Sequence, residues 1–72
     1  MSLPVISSRD CIRAPGKIGF YVRRQKGSHI ILRRDVPGTT VVVPERKELP
    51  KGTLRNIIRQ ADLTVEEFTN LL

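Results

Sequence analysis

The sequence predicts an α+β fold in which a three-stranded antiparallel sheet carries helices on one face. Three observations lead there. Residues 20–43 contain three short runs rich in β-branched and apolar residues, joined by brief links with Gly or Pro, the pattern of an antiparallel meander. From Lys51 the apolar period lengthens, and Leu54, Ile57, Ile58 and Ala61 fall at i, i+3, i+4 and i+7, one stripe of an amphipathic helix. Near the start, Ser7 and Ser8 can cap a helix beginning at about Arg9, with Asp10 favourably placed in its first turn.

Each element has its own reasons. In the first helix Cys11 and Ile12 face inward with Pro15, and Pro15-Gly16 ends or kinks it, because proline removes a donor at a cost of roughly 3 kcal/mol. The first strand, Phe20 to Gln25, sets Phe20 and Val22 on one side and Tyr21 and Arg23 on the other. Lys26-Gly27 is a tight link whose glycine accepts positive φ. Ser28 to Arg34 follows, then the turn Asp35-Val36-Pro37-Gly38, then Thr39 to Val43, closed by Pro44. On the helix after Lys51, the cations Lys51, Arg55 and Arg59 stack on the outer side. Thr64 and Glu67 form a capping box for a last short helix that turns Val65, Phe68 and Leu71 inward.

Ile30-Ile31-Leu32 and Val41-Val42-Val43 are apolar on both parities. A sheet covered by helices on one side needs only one apolar parity. The second face therefore calls for a protein partner or a second copy of the chain, or remains an open surface with a few aliphatics.

Composition narrows the function. The chain has 72 residues, the size of one domain spanning residues 1–72. A chain this short buries only about 60% of its unfolded surface, so its core is thin and a site must lie on an open surface. Thirteen Lys and Arg oppose seven Asp and Glu, a formal charge of +6. Phosphate-rich partners suit such a balance, because each neutralised phosphate releases counterions. Cys11 is the only cysteine, which rules out an internal disulfide and a cysteine zinc cage. No metal-ligand spacing and no phosphate-cradling or dinucleotide motif is present, so neither metal nor cofactor is expected. No run approaches the ~20 apolar residues of a membrane span, and the first residues lack a leader pattern. A cytoplasmic protein without a membrane partner is the expectation.

The chemistry concentrates in Lys26-Gly27-Ser28-His29. His29 is the one histidine, and an imidazole, with an ordinary pKa of roughly 6.5, can act as acid or base near neutrality. Cleavage of RNA by internal attack needs a base for the ribose 2′-hydroxyl and an acid for the departing oxygen. Lys26, with Arg23 or Arg33, can hold the phosphate and stabilise charge on its oxygens, and Ser28 can orient the imidazole or bind phosphate. Lys47, Lys51 and Arg55 form a second basic group on and before the amphipathic helix. On the residues alone His29 also fits an ordinary surface histidine. Tyr21 is the one ring suited to stacking, which argues against sequence-specific single-strand readout.

The segment Gly-Phe-Tyr-Val-Arg-Arg-Gln-Lys-Gly-Ser-His at 19–29 resembles the signature of the HicA-type mRNA interferase toxins. So do Val-Val-Val-Pro at 41–44 and Lys-Glu-Leu-Pro-Lys-Gly-Thr-Leu-Arg-Asn-Ile-Ile-Arg-Gln-Ala at 47–61. The three occur in the family's order and spacing. The resemblance implies an α-β-β-β-α fold like the double-stranded-RNA-binding domain. It further implies a type II toxin that cleaves messenger RNA without a metal, a HicB-type antitoxin covering the site, and His29 as the catalytic residue. Two departures stand out: Pro15-Gly16 falls where the family continues its first helix, and no second histidine supplies an acid. A non-catalytic RNA-binding module of the same fold, or a degenerate toxin, fits the same residues, and a homodimer through the second sheet face is a further option. A purely protein-binding domain is the third reading.

Overall fold

A computed structural model describes residues 3–72. Residues 1 and 2, part of the stretch read above for a leader, lie outside it. The elements run α1 (Ser8–Gly16), β1 (Tyr21–Lys26), β2 (His29–Asp35), β3 (Gly38–Pro44), α2 (Lys51–Gln60) and α3 (Val65–Leu71), and the sheet order is β1-β2-β3, antiparallel throughout. This is the predicted α+β architecture.

Parity decides the core. Ile30 and Leu32 on β2 stand opposite Val43 and Val41 on β3, and all four are buried against the helices. Their neighbours on the other parity, Ile31 and Val42, form the opposite face, where Val42 keeps 38% of its surface exposed. Leu54, Ile57, Ile58 and Ala61 are all buried, as their spacing predicts, while Lys51, Arg55 and Arg59 are exposed. The Thr64–Glu67 capping box is formed in both directions, at 3.1 and 2.9 Å, and seats Phe68 at full burial. Val65 and Leu71 pack partly against the same core.

The first helix starts at Ser8, one residue earlier than expected, with Ser7 as its cap accepting from the Asp10 N–H at 3.3 Å. Pro15 lies inside it, buried, and the helix ends one residue later at Gly16. The missing donor falls in the last turn, where a helix loses least, and the ring fills core space instead. Leu3, Ile6 and Leu49 also enter the core, three residues that periodicity does not single out. A strap holds them. The Leu49 N–H donates to the Ile6 carbonyl at 2.9 Å, and the buried Ser8 hydroxyl donates to the Arg46 carbonyl at 3.0 Å while accepting from the Arg46 N–H at 3.2 Å.

Candidate functional site

His29 owes its position to the turn before it. Gly27 has φ of +60°, and glycine at the first of two central turn residues is the type II′ hairpin requirement, the twist that keeps flanking strands paired. Lys26 and His29 are therefore direct cross-strand partners, with Cβ atoms ~4.5–5.5 Å apart on one face. Two ties hold the hairpin end. The Gln25 amide donates to the Gly27 carbonyl at 3.0 Å, and the Glu45 N–H donates to the Ser28 carbonyl at 2.6 Å. On β3, Pro44 lies opposite His29. The imidazole thus stands exposed at one end of the open sheet face, away from the helices.

The register shifts between Val22 and Arg24, where β1 carries an extra residue. Such a bulge flips the side-chain parity beyond it. Arg24, not Arg23, consequently stands opposite Ile31, the next pair along the open face from Lys26–His29. Arg23 is exposed but has no cross-strand partner. The sequence marks Arg24 only as one of a run of cations with Arg23 and Lys26, not as a site residue. No apolar residue follows Val22 on β1, so nothing in the pattern fixes the strand's parity.

Arg33 shares the open face, paired with Tyr21. It lies four residues from His29, ~13 Å at ~3.3 Å per residue, too far for both to grip one phosphate. It is also engaged: its NH1 donates to Thr40 Oγ1 at 3.0 Å and its Nε lies 3.6 Å from Asp35. Arg34, its neighbour in sequence, points to the other side and sits over the Phe20 ring at 4.7 Å. The Ser28 side chain is exposed beside His29. Lys47 leaves the sheet just beyond Pro44, and Lys51 opens α2. Arg55 belongs elsewhere, lining a shallow groove between α2 and α3 with Arg59, Asp62 and Thr64. The structure thus brings Lys26, Ser28 and His29 together, adds Arg24, sets Arg33 at the far end, and leaves Arg55 on the helical side.

Electrostatics favour the His29 end. Among the described residues the one ion pair is Arg33–Asp35, and Asp35 is the one carboxylate in the described strands. Lys26 and Arg24 keep their charge unneutralised. Cys11 plays no part here: it is buried in α1, and desolvation pushes its thiol up to about 12, the state of an inert structural thiol.

An open sheet face with one exposed imidazole among unpaired cations defines a small basic α+β protein with a surface-mounted site. The family model for the HicA toxin of bacterial toxin-antitoxin matches residues 8–63, which take in α1, the whole sheet and α2. The chain belongs to that family, and it is a toxin of the kind paired with an antitoxin. No curated protein matches the chain. Among the described residues, no helix is long and apolar enough to cross a membrane.

Proposed function

We propose that this toxin is a metal-independent endoribonuclease that cleaves messenger RNA with His29 as its catalytic residue. The observation that carries the reading is the register pair Lys26–His29, exposed on an open face whose one strand carboxylate, Asp35, lies at the far end beside Arg33. The imidazole takes the proton of a ribose 2′-hydroxyl, the freed oxygen bonds to the adjacent phosphorus, and the bond to the departing 5′-oxygen breaks. That oxygen takes a proton from the imidazolium or from water. Lys26 and Arg24 hold the phosphate oxygens as charge gathers on them, and Ser28 adds a hydroxyl donor. Acid–base help of this kind contributes typically 10²–10⁴-fold. Arg23 and Arg33 meet neighbouring phosphates.

Lys47 and Lys51 extend the track toward α2. The α2 N-cap is Pro50, which offers no side-chain acceptor, and the first turn has no acidic residue, so nothing on the helix itself satisfies its N-terminal donors. Arg55 adds charge at longer range only. A HicB-type antitoxin docks over the open face in this reading. A homodimer through the same face would compete with RNA, because it would bury Arg24 and Lys26 between two copies.

The test is inducible expression of wild type and His29→Ala side by side, following growth and transcript integrity together. Wild type should arrest growth and fragment transcripts. The variant should do neither, yet bind RNA within a few-fold of wild type. Purified wild type that binds RNA without ever cutting it would leave a non-catalytic binding module or a degenerate toxin.

A further inference from the structure

We propose that Tyr21 is a stacking platform for one unpaired base of the RNA strand that crosses His29, an assignment that rests on the nuclease reading and extends it to the physical form of the substrate. Tyr21 is the only tyrosine, tryptophan is absent, and both phenylalanines are buried. Apart from the His29 imidazole it is therefore the one aromatic ring offered to solvent, with 46% of its surface exposed on the open face. Exposure alone says little, since surface tyrosines are common.

The ring is tethered, and that changes its meaning. Its hydroxyl donates to the Asp35 carboxylate, 3.2 Å from Oδ1 and 3.1 Å from Oδ2. Tyr21 pairs with Arg33, and Asp35 is the next residue of the same parity on β2. The hydroxyl thus reaches diagonally across the strand gap, a Cα separation of ~7–8 Å. A ring stretched in that direction leans along the sheet and leaves a π face outward. Asp35 is held in turn by Arg33, and Arg33 by Thr40. The chain from Tyr21 to Thr40 fixes the ring before any ligand arrives, which lowers the ordering cost of stacking.

Position supplies the rest. The open face carries Lys26 and His29 at one end, Arg24 and Ile31 next, and Tyr21 with Arg33 beyond them. Cations followed by a ring form the arrangement that tracks a single-stranded backbone and stacks its bases. The ~13 Å from His29 to Arg33 is a stretch of a few nucleotides. A base inside a duplex has both faces covered by its neighbours and cannot use the platform. Tyr21 therefore selects unpaired RNA, without regard to which base it takes.

Tyrosine emission in this chain comes from Tyr21 alone, which gives a readout independent of cleavage. In the His29→Ala protein, titration with a short unpaired oligoribonucleotide should quench that emission, and a perfect duplex of the same composition should not. Adding Tyr21→Ala should weaken binding of the unpaired strand about tenfold to a hundredfold and leave duplex binding unchanged. Tyr21→Phe, which keeps the ring and loses the tether, should lose less. In a cleavage-competent background the change should appear in KM rather than kcat, and one abasic site at a fixed offset from the cut should reproduce it. Unquenched emission with the oligonucleotide bound, equal quenching by duplex, or Tyr21→Ala affinity within twofold of the parent overturns the platform. Emission that responds to an antitoxin but not to RNA overturns it too, making Tyr21 a protein contact. If wild type never cuts but quenching and the Tyr21→Ala loss persist, the nuclease reading falls and the platform stands. If wild type cuts and quenching is absent, the platform alone falls.

Discussion

His29 is placed by Gly27, and the two can be separated experimentally. A Cβ on Gly27 would meet nothing within 4 Å, yet the backbone there has φ of +60°, so a side chain brings conformational strain without a clash. Gly27→Val should cost about 1–2 kcal/mol and disturb the Lys26–His29 pairing. Thermal unfolding should show a protein still folded, and a cleavage assay should show a loss far larger than that modest destabilisation explains. Unchanged cleavage would mean that the hairpin end does not position the imidazole. At this scale the sequence was legible where a residue type is itself unusual: the single histidine, the glycine beside it, the buried cysteine. Arg24 was hidden. Its place on the open face depends on a bulge, and Arg23-Arg24 offers no apolar contrast by which to count strand parity. Arg33 and Arg34, neighbours on β2, lie on opposite faces, because successive side chains of a regular strand alternate.

Among the elements, α3 depends most on a single local device. It has seven residues, too few to be stable alone, and its capping box joins Thr64 and Glu67 reciprocally. Thr64→Ala should cost about 1 kcal/mol and lower Tm by about 4–8 °C for a chain of this size. Phe68 is seated by the same turn, so hydrogen exchange should quicken along α3 before α2. Exchange rates in α3 unchanged from wild type would refute the dependence. The capping box, the α2 stripe and the hairpin glycine were readable because each is a short-range rule acting over a few residues. Pro15 was harder: a proline ends one helix and kinks another, and only the folded boundary, one residue later at Gly16, tells which. The entry of Leu3 and Ile6 into the core was out of reach, since an irregular segment has no period to expose its buried side.

For the molecule as a whole, charge and topology act together. With one ion pair among the described residues and a formal charge of +6, RNA affinity should fall steeply with salt, by about 0.7 in log–log slope for each phosphate contacted on a single strand. Arg24→Ala should reduce that slope by about 0.7, and Arg59→Ala, on the helical side, should leave it unchanged. Equal slopes for Arg24→Ala and wild type would remove Arg24 from the phosphate track. The sheet's outline was legible from two apolar runs and one short alternating one, whereas the separation of Arg55 from His29 required knowing which face the helices cover. The tie between residues 6–8 and 46–49 links the chain's beginning to its middle. An aminopeptidase that consumed the chain as far as Ser8 would do more than shorten a tail. It would cut the moorings of the segment carrying Lys47 and set the start of α2 adrift. Erosion from the amino end would thereby loosen the middle of the chain while the hairpin carrying His29 kept its covalent structure.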